Sequence, residues 1–214
     1  YSTNTLSNFF RVQPFSILGH NGEINTIAKL REEALMMGVP LVEGGSDSQD
    51  MNRTMETFLN RYGLSLFEVM EMIFPPIINE MKLYPDHLKD LYLYLRGAWG
   101  PFAQGPAGIV SRFENECVFS VDAMGLRPLW MVETDETLYF SSEQGVELAH
   151  EMVSEPKPIA PGEKVGVVLN PGHPIRVIPY DQLQEIVYER ITERLTYNKG
   201  GLLGERQVIN CGPE

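Results

Sequence analysis

The hydrophobic pattern of this 214-residue chain changes character at Pro101, and that change limits the folds open to it. Before it, apolar residues recur at three- and four-residue spacing, as amphipathic helices require. After it, short apolar runs are separated by turn-like residues, as antiparallel strands require. Residues 26–37 predict one helix, which follows a short buried strand over residues 15–18 and stops at Gly38, with Pro40 beyond. The cluster Gly44-Gly45-Ser46-Asp47-Ser48 predicts the start of a second helix, with Met51, Met55, Phe58, Leu59 and Tyr62 at helical spacing and Gly63 as its end. Ser65-Leu66-Phe67-Glu68 has capping-box spacing for a third that runs to Pro75-Pro76; Leu88, Leu91, Tyr92 and Leu95 mark another, with Pro85 in its first turn. The expected strands are residues 105–111, 117–122, 129–132 and 137–141, for which a meander is the simplest arrangement, then a hairpin of residues 165–169 and 175–178. Residues 145–152 read as a short helix and residues 181–195 as a longer one that ends the compact part. Helices grouped in the first half and strands in the second give an α+β protein.

Composition excludes several roles. With 43% hydrophobic and 21% charged residues the chain can bury a core as ordinary globular proteins do. Seventeen basic residues against 29 acidic ones give a formal charge of −12, which repels phosphate backbones and anionic lipid, so neither nucleic acid nor a membrane surface is an expected partner. No apolar run approaches the ~18 residues of a membrane span. Cys117 and Cys211 match neither a metal-ligand spacing nor a disulfide framework, which points to a reducing, cytoplasmic compartment, and Cys117 reads as a buried inert thiol in its strand. His87, His150 and His173 have no His or Cys companion at ligand spacing and read as structural or exposed. The opening Tyr-Ser-Thr-Asn-Thr, with no Met, is what an internal cut through a longer protein would leave.

Chemistry concentrates in Gly19-His20-Asn21-Gly22-Glu23-Ile24-Asn25-Thr26, the elbow between the first strand and the first helix. On local grounds Asn-Gly is a turn dipeptide, with Asn25 or Thr26 as N-cap. The other reading is that the Asn21 amide and the Gly22 N–H point at one spot and stabilise an oxyanion. Asp47 is the one carboxylate set among small residues at a helix start, where it reads as an N-cap; it could also take the ammonium end of an amino-acid substrate. No G-x-S-x-G elbow, phosphate-binding glycine loop or zinc-ligand pattern is present.

Tyr1-Ser2-Thr3-Asn4-Thr5, residues 18–26, Ser46-Asp47-Ser48, Gly125-Leu126-Arg127-Pro128 and Ser142-Glu143 occur in an order and spacing that resemble the class II glutamine amidotransferases, most closely the amidotransferase domain of the glutamate synthase large subunit. The likeness covers roughly residues 1–170 and is loose beyond. It implies an Ntn-hydrolase-like four-layer αββα sandwich, here without its N-terminal strands, with residues 1–180 as the larger C-terminal part of the domain and residues 181–214 as a helix plus a Gly-rich linker or docking segment. It further implies hydrolysis of the glutamine side-chain amide by an N-terminal Cys whose own α-amino group is the base, releasing ammonia to a synthase domain or subunit that makes glutamate from 2-oxoglutarate. By the same likeness Asn21 and Gly22 are the oxyanion hole, Asp47 holds the substrate amino group, Thr3 lines the glutamine site, and Asp122-Ala123-Met124-Gly125-Leu126-Arg127-Pro128 is a turn that shapes the domain. Residue 1 is Tyr, and the family's carboxylate-binding Arg stands just before the Tyr-Ser-Thr segment, so both nucleophile and Arg are expected on sequence not included here, and the chain alone is expected to be inactive. No cofactor is expected in this domain; FMN and an iron–sulfur cluster would belong to other parts of a glutamate synthase holoenzyme. The competing reading is a catalytically silent amidotransferase-like module that binds a partner or senses glutamine.

Overall fold

The computed structural model describes residue 11 and residues 15–41, 43–100, 102–145 and 152–198. Thr3, the Tyr1-to-Thr5 segment, Cys211 and most of the expected helix at 145–152 lie outside the described residues. Strand β1 (Leu18–Gly22) is followed by five helices, α1 (Ile27–Met36), α2 (Asp47–Asn60), α3 (Leu66–Ile73), the single turn α4 (Ile78–Met81) and α5 (Asp86–Ala98). Strands β2 (Ala107–Phe113), β3 (Glu116–Val121), β4 (Trp130–Glu133), β5 (Leu138–Ser141), β6 (Lys157–Pro158), β7 (Lys164–Val168) and β8 (Arg176–Ile178) come next, and α6 (Tyr180–Asn198) closes the described part.

The strands form two antiparallel sheets, a five-stranded one in the order β1-β2-β3-β7-β8 and a three-stranded one in the order β5-β4-β6. The expected meander therefore breaks after β3. The cause is Asp122, whose carboxylate accepts hydrogen bonds from the N–H groups of Ala107, Met124, Leu126 and Arg127 at 3.1–3.2 Å and turns the chain out of the first sheet. β7 then takes the place beside β3 that a meander would give to β4. The turn that the sequence marks at residues 122–128 is thus the joint between the two sheets.

Alternation along β3 assigns its faces. Val118 points into the core formed with the helices, while Phe119 and Val121 point at the second sheet, where Phe119 stacks on Phe140 at 3.4 Å and Val121 packs with Leu129 and Ile159. Helices, five-stranded sheet and three-stranded sheet make three consecutive layers of an αββα sandwich among the described residues.

α3 is the middle of the helical layer, buried at all eight of its positions and started by the expected Ser65/Glu68 capping box. A helix buried all round must satisfy its own polar groups. Glu68 does so with Arg194 (2.6 Å) and Glu71 with Lys164 (3.1 Å), and Tyr92 donates a further hydrogen bond to Glu71 (2.8 Å). Burial, then the Glu71 carboxylate, pushes the Tyr92 and Tyr180 phenols well up, so both stay neutral hydrogen-bond donors. α6, the helix expected to end the compact part, packs on this core: Leu183 and Val187 are buried, and Arg190 and Arg194 pair with Glu116 and Glu68. Among the described residues no helix is long and apolar enough to cross a membrane.

Candidate active site

The Asn21-Gly22 dipeptide is not the turn that its composition predicts. It is the end of β1, with His20 opposite Ile109, Asn21 opposite Gly108 and Gly22 opposite Ala107 on β2; the turn begins only at Glu23. Two glycines allow the strands to close beyond that point. Gly22 has φ +147°, and a Cβ there would lie 1.7 Å from the Pro106 carbonyl oxygen; Gly105 also has φ +147°, and its Cβ would lie 2.0 Å from the Glu23 oxygen. Glu23 N–H then donates to the Pro106 carbonyl (2.9 Å) and Asn25 N–H to that of Gln104 (2.7 Å). Thr26 is the N-cap of α1 by position, but its hydroxyl donates to the Phe102 carbonyl (2.8 Å) instead of capping the helix. Gly22→Ala is accordingly expected to part β1 from β2, at a cost above the ~1–3 kcal/mol of backbone strain alone. Faster hydrogen exchange of the β2 amides measures it, and unchanged exchange would contradict it.

This register fixes where the Gly22 N–H points. In an antiparallel pair, residues facing one another alternate between hydrogen-bonded and non-hydrogen-bonded. Ala107 N–H donates to the Asp122 carboxylate and its carbonyl accepts from Asp122 N–H, while Glu23 pairs with Pro106, so Gly22 and Ala107 are a non-hydrogen-bonded pair. The Gly22 N–H therefore faces away from β2, on the side of β1 that carries no partner strand among the described residues. The Asn21 side chain is exposed, makes no hydrogen bond among the described residues, and stands over Gly108 on the face opposite His20. Arg127 and Pro128 close over the same spot, with Arg127 Cβ 3.8 Å and the Pro128 carbonyl oxygen 3.7 Å from where a Gly108 Cβ would be.

α2 grips β1 at both ends. Buried Asn52 offers its carbonyl oxygen to the Ile17 and Leu18 N–H groups (3.1 and 3.4 Å), and Asp47 offers Oδ2 to the Ile24 N–H (3.0 Å). Asp47 is not the N-cap: Ser46 is, in a capping box with Gln49, because the Ser46 hydroxyl reaches the Gln49 N–H (3.2 Å). That leaves Asp47 as the first residue of the helix, free to turn its carboxylate to the segment after Gly22. Its Oδ1 accepts from the Ser48 N–H (2.7 Å). The structure thus brings Asp47 to the Asn21-Gly22 segment, while Thr3 lies outside the described residues.

His20 belongs to this group although no ligand spacing marks it. Its Nδ1 lies 2.8 Å from Ser48 Oγ, and its Nε2 is buried with no partner among the described residues. Burial pushes its imidazole below the ordinary 6.5; the Asp47 carboxylate and the Pro106 carbonyl oppose that shift, and Arg127 reinforces it. The fold prefers the neutral ring, so the stability this group contributes is complete above the ordinary imidazole value and lost as pH falls through the lowered one. No local signal marks it: a strand read to end at Leu18 does not carry its alternation to residue 20, and the partner Ser48 stands on another element.

Cys117 is not a nucleophile for this site. It faces Arg112 on β2, four residues along from Gly108 and so about 13 Å away along the strand. It is buried, and burial raises its thiol above the ordinary value. Among the described residues no group of three His, Cys, Asp or Glu side chains could hold a metal ion, and Cys117 is the sole described cysteine, so these residues do not fit an iron–sulfur cluster.

The Asn21-Gly22 end of β1, the Asp47 carboxylate at the start of α2 and the turn at Arg127 thus lie together at one end of the five-stranded sheet. The chain matches the family of class-II glutamine amidotransferases over residues 1–190 and belongs to that family. Among curated proteins it is 30% identical to the glutamate synthase [NADPH] large chain of Azospirillum brasilense, over 80% of this chain and 12% of that one. It is 33% identical to the ferredoxin-dependent glutamate synthase of Cyanidium caldarium, over 77% and 12%. The chain therefore spans about an eighth of the length of these relatives. Among solved structures, a glutamine phosphoribosylpyrophosphate amidotransferase from B. subtilis gives a TM-score of 0.47 at 18% identity, over 80% of this chain and 30% of that one.

Proposed function

We propose that this domain hydrolyses glutamine to glutamate and ammonia and supplies the ammonia to a synthase domain or subunit that makes glutamate from 2-oxoglutarate. The observation that carries the reading is the Gly22 N–H, turned away from β2 beside the Asn21 carboxamide, which makes no hydrogen bond among the described residues. A thiolate attacks the side-chain carbonyl carbon of glutamine, and the tetrahedral oxyanion accepts hydrogen bonds from Asn21 Nδ2 and Gly22 N–H. Ammonia leaves, taking a proton from the base, and water releases glutamate from the thioester. The nucleophilic Cys and the carboxylate-binding Arg are supplied from outside these 214 residues, which contain no thiol near Asn21 among the described ones. Thr3 lines the glutamine site, and the cytoplasm is the compartment. FMN and an iron–sulfur cluster belong to other parts of the holoenzyme, where they would supply the reducing chemistry of glutamate formation.

Asp47 has two roles in this reading. Each carboxylate oxygen has two lone pairs; Oδ1 accepts from the Ser48 N–H and hydroxyl and Oδ2 from the Ile24 N–H alone, so Oδ2 keeps acceptor capacity for the substrate's α-ammonium. Asp47→Ala in the complete gene product is expected to raise the KM for glutamine by about 10- to 100-fold, the worth of one charge-assisted hydrogen bond. Asp47→Asn, which keeps an acceptor but removes the charge, should fall between the two. An unchanged KM in both variants would overturn the assignment.

A further inference from the structure

We infer that His20 is a positioning residue that tunes how strongly Asp47 holds the substrate's ammonium group, a step that rests on the glutaminase reading above. The geometry is a relay that leaves the oxyanion strand and returns to it. Ser48 Oγ–H donates to Asp47 Oδ1 (3.3 Å), so Ser48 accepts from His20 Nδ1–H (2.8 Å); Asp47 Oδ2 accepts from Ile24 N–H (3.0 Å). The ring and the carboxylate thereby bracket Asn21, Gly22 and Glu23 from residues 20 and 24. This tautomer leaves Nε2 as the atom that can take a further proton, and Nε2 is buried without a hydrogen-bond partner among the described residues.

A proton there would put a full positive charge one hydroxyl group away from Asp47. The charged groups facing the ring are Asp47, from α2, and Arg127, from the turn after β3. Arg127 already brings one cation, so the imidazolium would be a second, competing with the substrate's ammonium for a single carboxylate. Attraction of glutamine weakens on acidification while the Asn21 and Gly22 donors, which act on the developing oxyanion, are untouched. The effect falls on KM, and burial of the ring places it below the ordinary imidazole range.

The test is the pH dependence of KM and kcat for glutamine in the complete gene product, for wild type, His20→Asn, Ser48→Ala and Ser48→Thr, between about pH 5 and 8. Wild-type KM is expected to rise by about ten-fold toward the acid end, the size of a one-unit coupling between two charges. His20→Asn cannot titrate and should flatten that rise. Ser48→Ala cuts the relay, raising KM near neutrality, and Ser48→Thr restores the hydroxyl and the wild-type profile. A His20→Asn profile identical to wild type, or a Ser48→Ala KM equal to wild type at every pH, overturns the role of His20 and leaves glutamine hydrolysis standing. Should His20→Asn fail to fold, the Ser48 pair decides. A folded wild-type protein that forms no glutamate at any pH overturns the glutaminase reading and this inference together.

Discussion

Replacing Asn21 by Ala is expected to lower the kcat for glutamine hydrolysis in the complete gene product by about 10²–10³, with KM changed far less. In the proposed oxyanion hole Asn21 is one of two donors, and its interaction is made in the transition state and not with the ground-state amide. The fold should survive, because the Asn21 side chain is exposed and makes no hydrogen bond among the described residues, and the strand register rests on backbone pairing with Gly108. This separates Asn21 from Gly22, where a side chain collides with the Pro106 carbonyl and any loss of activity would be confounded with loss of structure. A kcat within a factor of two or three of wild type would remove Asn21 from the oxyanion hole.

The second large effect lies in the core. Lys164 is 2% exposed and Glu71 is fully buried; they pair at 3.1 Å, and Tyr92 and Tyr180 donate to the other Glu71 oxygen. Lys164→Met removes one partner and strands a carboxylate in an apolar interior, which costs about 3–5 kcal/mol. Adding Glu71→Gln removes the stranded charge while keeping an acceptor for Tyr92, so the double variant should recover most of the loss. Hydrogen exchange of the amides of residues 66–73 reads this locally even in a large protein, and should accelerate by about two to four orders of magnitude in the single variant. Equal exchange in wild type and Lys164→Met would show that the pair does not hold α3.

The helical half was legible because caps and periodicity are local signals. Ser65 and Glu68 form the expected capping box, and Gly38 and Gly63 have the positive φ of helix ends. Strand segments after Pro101 were legible for the same reason, but not their order: it depends on Asp122 collecting one N–H from the start of β2 and three from the turn that follows it, and on β7 returning to β3, contacts that no local pattern carries. Asn21, Gly22 and Asp47 are proposed as site residues from motif order, and the structure brings the three segments together. Their local settings were misread, as a turn and as an N-cap, since Asn-Gly and Ser-Asp-Ser each satisfy two structural roles and only the pairing partner decides between them. His20 was missed because its partner is 28 residues away, a hydroxyl on another element. The burial of Lys164 was equally hidden, since a lysine that opens a strand ordinarily faces water.

The most direct test of the proposed glutaminase site is glutamate and ammonia release from glutamine by the complete gene product, with asparagine as the control substrate. Equimolar glutamate and ammonia from glutamine, with little turnover of asparagine, is the predicted result. A folded protein that releases neither product, or that turns over asparagine equally well, would contradict it.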